Sequence, residues 1–325
     1  MAPSERTVKS DAAHCARRIL MRIASLVPSA TETLFALGLG DEVVGVSPEC
    51  DFPAGARDKP VLSQNAIRPD TMSQAAIDRT VVEHLRDGGS LYHVDARLLE
   101  EAAPDVIFTQ GLCEVCAASI EDVTSVASKL KEAPKVVSLD PTDLGGVLAS
   151  IESVGRSTGR EAEARDLAGS LRARLLAVEV ATSHLQEVPT VGCLEWFDPL
   201  FNAGHWVPEM VEIAGGAEVL AVSGKPSVRI EWRDVLTAAP QVLVLMPCGF
   251  SVDRAVADVP LLTRLPGWRV LPAVRKGNVY AVDASSYFSR PGPRLVDGVE
   301  LLAHILHPDA FPGEWPKAAM RRLAG

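Results

Sequence analysis

Long apolar runs are missing from this sequence. None approaches the roughly 20 residues that cross a bilayer as a helix, so a helical membrane span is excluded. The opening, MAPSERTVKSDAAHCARRILM, also lacks the apolar core of about 7–15 residues that marks a secretory signal. Residues 1–20 read as a polar arm, and the chain is expected to be cytoplasmic. Excess positive charge is missing as well: 32 Lys and Arg stand against 42 Asp and Glu, for a net charge of −10. Nucleic-acid binders usually carry a basic face, so nucleic acid is not the expected partner. No P-loop, H-E-x-x-H pair or G-x-S-x-G elbow occurs, which removes three familiar catalytic chemistries. Aromatics make up only 5% of residues, so any local concentration of them is informative.

What is present points to an α/β protein. The chain has 325 residues, 47% of them hydrophobic, enough for about two domains. Short β-rich runs (RIASLV, VVGVS, DVIFTQ, KVVSLD) alternate with helical patterns, as in a mostly parallel sheet. From 143 to about 185 the strand signal stops. Leu144, Leu148, Ile151 and Val154 keep helical spacing, as do Leu167, Leu171 and Leu175, and a break or kink is expected at Gly155–Gly159. Strands then return in TVGCLEW, QVLVLMP and NVYAVD. The expected organisation is a polar arm at 1–20, an N-terminal α/β lobe at 21–142, a linking helix at 143–187 and a C-terminal α/β lobe at 188–325. The fold class is thus α/β, two Rossmann-like lobes with parallel sheets joined by a long helix. The lobes echo each other: AAPDVIFTQGLC (102–113) resembles AAPQVLVLMPC (238–248). Open α/β sheets bind ligands beyond the carboxyl ends of their strands, and two such edges facing each other make a cleft.

The stretch RIASLVPSATETLFALGLGDEVVGVSPECDFP resembles the start of the helical-linker (class III) substrate-binding proteins of ABC importers. There a strand leads into a P-[SA]-x-T-E helix, a G-[VL]-G turn and V-G-V-[ST]. The resemblance runs from about 22 to 308. Glu49–Pro53, Gly111–Ala117, Leu194–Pro199, Ala203–Glu209, Pro247–Phe250 and Tyr287–Gly298 are similar to pieces that recur in a cobalamin-binding-like, cytosolic branch. The resemblance implies a ligand of cobalamin, tetrapyrrole or metal-complex type. In transport-coupled relatives one glutamate on each lobe docks on arginines of the permease. EMVEIAGG keeps Glu212, but VDARLLEEAAPD places Arg97 at the N-lobe position. A positive charge facing arginine is repulsive, so docking on an ABC permease is expected to be lost.

Several residues could carry chemistry. Cys50, Cys113, Cys116 and Cys248 all follow strand-like runs and precede turns. Four thiols at loop ends suit zinc or an iron–sulfur cluster. A single C-x-x-C also fits a redox dithiol or inert buried cysteines, and those readings stay open. WFDPLFNAGHW (196–206) gathers four aromatics in eleven residues. It suggests a wall for a flat ligand built from Trp196, Phe197 and Trp206, extended by Phe52, Tyr287 and Phe288, with core filling as the alternative. His205 lies on the same loop, where a histidine serves a ligand or structural hydrogen bonds. Arg290 suits a ligand carboxylate or phosphate, or an internal ion pair. Glu49 and Glu195 end strands as candidate acid–base groups or paired carboxylates. The first expectation is a binding protein holding a corrinoid or related small molecule in the cleft. The rival is an enzyme or redox protein using the cysteines in the same cleft.

Overall fold

The computed structural model describes residues 20–68, 71–86, 90–111 and 118–323. The first lobe contains β1 (Ile23–Ser25), α1 (Pro28–Ala36), β2 (Val43–Val46), β3 (Ser63–Asn65), α2 (Gln74–Arg86), β4 (Tyr92–Val94), α3 (Ala96–Ala102), β5 (Val106–Thr109), α4 (Ile120–Ala127) and β6 (Lys135–Ser138). Its main sheet runs β2-β1-β5-β6 with every pairing parallel. Parallel strands are covered on both faces and read as continuous apolar runs, and every residue of β5 is buried. β3 and β4 form a small antiparallel pair of their own. Pro28 opens α1, where its missing N–H costs no helical hydrogen bond, and Gly38 turns the chain away at φ 74°.

Two helices connect the lobes, α5 (Leu144–Thr158) and the 23-residue α6 (Glu161–Ser183). The Asp143 side chain caps α5 by accepting the Gly146 N–H at 2.7 Å. Gly159 ends α5 in the left-handed region at φ 68°, a conformation glycine adopts without Cβ strain. The break expected at Gly155–Gly159 is therefore a separation into two helices that pack on each other.

The second lobe contains β7 (Thr190–Phe197), β8 (Leu200–Asn202), α7 (Val207–Ile213), β9 (Ala217–Glu218), α8 (Trp232–Ala238), β10 (Val242–Leu245), α9 (Val252–Asp258), α10 (Pro260–Thr263), α11 (Pro272–Arg275), β11 (Val279–Val282), α12 (Ala284–Tyr287), α13 (Leu295–Leu306) and β12 (Met320–Leu323). Its sheet runs β12-β11-β10-β7-β8, with β9 beside the start of β7. The central β11, β10 and β7 are parallel, while β8 and β12 are antiparallel additions. This sheet is thus mixed, because β8 is a short return from β7.

One apolar cluster joins everything behind the sheets. It includes Ile23 and Phe108 of the first lobe, Ile151 and Leu171 of the connecting helices, and Met210 and Leu302 of the second lobe. A second cluster fills the other face of the first sheet and takes in Phe250 from the second lobe. A third belongs to the second lobe alone.

Candidate functional site

The carboxyl ends of β1 and β2 meet those of β7, β10 and β11 along a seam between the lobes. Trp196, near the end of β7, packs against Phe250 in the β10–α9 turn, with ring centroids 5.2 Å apart and planes at 58°. Both rings rest on the first lobe's apolar cluster, to which Tyr92 and Ile107 also belong. Polar ties hold this side shut. Gln74, at the start of α2 and 1% exposed, accepts the Phe197 N–H at 2.7 Å and donates to Asp258 at 2.9 Å. The Arg254 guanidinium lies 4.5 Å from the Phe250 ring centroid and donates to the Met72 carbonyl at 2.7 Å.

A buried charge cluster closes the other side. Arg294 grips Glu32 with both prongs, Nε to Oε2 at 2.9 Å and Nη2 to Oε1 at 2.6 Å. This is the fork geometry that favours arginine. Arg290 pairs with Asp51, lies 3.6 Å from Glu32, and donates to the Glu49 carbonyl at 3.0 Å. Burial by itself would raise the Asp51 carboxyl, but the hydrogen bond and charge of Arg290 outweigh it and hold the group below its usual value. Arg294 also lies over the Phe52 ring, 4.0 Å from its centroid. Of the two roles open to Arg290, a ligand anion or an internal ion pair, the structure shows the internal pair with Asp51 and Glu32.

The two candidate carboxyls sit differently. Glu49 Oε1 accepts from Asn65 at 2.7 Å, and Asn65 also donates to the Tyr92 hydroxyl at 3.1 Å. Glu49 Oε2 is buried and has no hydrogen-bond partner among the described residues. Glu195 lies beside the Cys248 thiol. Burial, and secondly that thiol, push its carboxyl well above the usual range, against the opposing hydrogen bond from the Gly204 N–H. The shift favours its protonated form, in which a carboxyl can donate a hydrogen bond.

Four other rings of the expected wall pack into the protein's own clusters. Trp206 is 6% exposed, donates its indole N–H to the Phe288 carbonyl at 2.7 Å, and belongs with Phe288 to the large core cluster. Phe197 is 4% exposed inside the second lobe's own cluster, and Tyr287 stands edge-on to Trp315. These four are packing residues: the return of β8 and the docking of α7 and α13 turn them inward. His205 adopts φ 53°, donates its N–H to the Lys225 carbonyl at 2.6 Å, and is held below its usual pKa by burial. It shapes a loop.

Cys50 is 4% exposed. Its sulfur accepts from Thr31 at 3.0 Å and lies 3.2 Å from the Ser47 hydroxyl, and burial pushes its thiol up despite those hydrogen bonds. Cys248 is half-buried beside Glu195. Cys113 and Cys116 lie outside the described residues. Among the described residues, no three His, Cys, Asp or Glu side chains converge as a metal-binding group. Sequence reasoning missed Gln74, Asn65, Tyr92, Asp51 and Glu32 at the seam. Phe250, Asp51 and Glu32 had a signal, since they lie in the P-C-G-F turn, the Glu49–Pro53 piece and the P-S-A-T-E helix start, but Gln74, Asn65 and Tyr92 carry none that composition reveals. On the outer surface, Arg97 is exposed on α3 and pairs with Glu101 at 2.6 Å, and Glu212 is exposed on α7.

The chain matches the protein-family model described as periplasmic binding protein over residues 23–285. It is 26% identical over 297 residues to an uncharacterized ABC transporter substrate-binding lipoprotein of Bacillus subtilis, covering 89% of this chain and 81% of that one. It is 26% identical over 289 residues to a vitamin B12-binding protein of Vibrio parahaemolyticus, covering 87% and 89%. Its fold is similar to the crystal structure of a periplasmic heme-binding protein from Pseudomonas aeruginosa, with a TM-score of 0.69 at 20% identity over 94% of this chain and 99% of that one.

Proposed function

The chain belongs to the periplasmic binding protein family, and from that premise we propose that it binds a corrinoid between its lobes. One observation carries the choice of ligand: the seam offers acceptors and a carboxyl shifted toward its protonated form beside an aromatic pair, while Arg290 and Arg294 are already neutralised. A haem would bring carboxylates, and these need cations that Asp51 and Glu32 have taken. A corrinoid brings an apolar macrocycle rimmed by amides. Amide N–H groups suit the Glu49 oxygen, because a buried acceptor left without a donor loses a hydrogen bond's worth of free energy. The similarity to a vitamin B12-binding protein agrees with this reading. Binding parts the seam, and Trp196 and Phe250 exchange their contacts with the first lobe for the macrocycle.

The reading includes a loss of permease coupling, for which Arg97 is the support. On the family resemblance it stands where transport-coupled relatives carry a docking carboxylate, and it is an exposed cation.

The test adds cyanocobalamin and haemin separately to the full chain while following tryptophan fluorescence and the visible spectrum. Saturable quenching by the corrinoid, lost or weakened in Trp196→Ala, is expected. Binding of haemin with no response to the corrinoid refutes the reading.

A further inference from the structure

α6 is covered on one side only. Ala164, Ala168, Leu171, Leu175, Val178 and Thr182 face the core. A surface helix ordinarily turns polar and charged residues outward. Here Ala173, Leu176 and Val180 occupy the middle of the outer face, with Leu176 and Val180 56% and 51% exposed. Past Ala177 the apolar surface continues into an open groove of about 450 Å³ between α6, α13 and the C-terminal segment, walled by Phe311 and Trp315. We infer that this face pairs with the same face of a second copy of the chain, the two α6 helices running antiparallel about a two-fold axis beside Leu176.

The charges on this face complement one another under that symmetry. In an isologous contact the same patch serves both partners, so every pairing occurs twice. With the axis beside Leu176, the two Leu176 side chains meet each other. Val180 of each helix lies over Ala173 of the other, where the small side chain permits close approach. Arg172 and Glu179 flank Leu176 on the same edge of the face, and antiparallel packing sets matching edges against each other. Arg172 of one copy therefore stands opposite Glu179 of the second, twice over. Among the described residues, neither Arg172 nor Glu179 forms an ion pair within its own chain, and both are exposed. Farther out on the face, Asp166 comes level with the second copy's His184, again opposite in character. A parallel two-fold pairing would instead put the Arg172–Glu179 edges of the two helices on opposite sides of the contact, and these charges would not meet. Stable interfaces bury about 800 Å² per partner. A helix stripe alone falls short of that, and the groove beside Ala177 extends the face with Phe311, Pro312 and Trp315.

The experiment is sedimentation of the full chain over a concentration series, with far-UV circular dichroism to verify folding of each variant. A reversible monomer–dimer equilibrium is expected. Arg172→Glu and Glu179→Arg are each expected to weaken it about tenfold or more, because two attractive pairs become repulsive. The double variant R172E/E179R restores both pairs with their signs exchanged and is expected to regain dimerisation. Under mild oxidation Leu176→Cys is expected to cross-link to itself as a disulfide dimer, while Val270→Cys, at an equally exposed site elsewhere, is not. A chain that stays monomeric at every concentration overturns the inference, whether the face is bare or serves another protein. So does a dimer that is indifferent to both charge reversals.

Discussion

Glu218, on the edge strand β9, holds its proton to about pH 7. Burial raises its carboxyl from 4.5 to about 7, against hydrogen bonds from the Cys193 thiol and from the Leu220 and Cys193 N–H groups at 2.8 and 3.1 Å. The folded state therefore binds more protons than the unfolded state between these two values. Stability should fall as pH rises from 4.5 to about 7 and be unaffected by this group above that range. The total is at most about 3 kcal/mol. Urea midpoints measured across the window check this, and Glu218→Gln should flatten that part of the curve. A residue-scale prediction also follows for the seam. Glu49→Gln replaces one carboxylate oxygen by an N–H donor, so corrinoid affinity should weaken by about 1–2 kcal/mol, read by titration calorimetry. An unchanged Kd would show that Glu49 Oε2 meets no ligand donor.

At the scale of elements, the joint between α5 and α6 governs how the lobes are carried. A Cβ on Gly155 would stand 2.3 Å from the Ala164 Cβ and 2.8 Å from the Arg160 carbonyl oxygen, so two backbones would have to part. Gly159 has open space around it and only its positive φ to lose. Gly155→Ala should therefore destabilise by about 2–3 kcal/mol through overpacking, and Gly159→Ala by about 1 kcal/mol through left-handed strain. Denaturant midpoints of the two variants test the order, and an equal loss in both would contradict the packing account. Both glycines stood out in the sequence as a break in a helical pattern. That one of them is a crossing point was not legible, because close approach of two helices depends on residues that meet only after both have formed.

The whole molecule is held by the continuous cluster behind the sheets and by the ion-paired seam in front. Among the described residues, Glu32, 4% exposed, has its charge matched only from the other lobe. Arg294→Met should therefore cost about 2 kcal/mol, because it strips the buried Glu32 of its two-pronged partner and leaves only the longer contact to Arg290. Arg294→Met with Glu32→Gln should cost clearly less than the two single changes added together, since residues in one network do not act independently. Thermal melts of the four proteins supply the cycle, and simple additivity would mean that the pair contributes nothing across the seam.

Read alone, the sequence determined the architecture. Periodicity of two or of 3.6 is a local property, so strand, helix and break all show in short windows, and the repeated AAP-strand-turn pattern marked the two edges that meet. It also identified Glu49, Trp196 and the P-C-G-F turn as strand-end positions. Which aromatics line the seam was decided only by tertiary structure. Trp196 and Trp206 share one eleven-residue run and one chemistry, and a ligand wall and a core both favour large apolar rings. Only the return of β8 and the packing of α7 and α13 bury Trp206 while leaving Trp196 at the lobe boundary. The fate of Arg290 was equally unreadable, because its partners Asp51 and Glu32 lie more than two hundred residues away along the chain, and a guanidinium is as well matched by a protein carboxylate as by a ligand's.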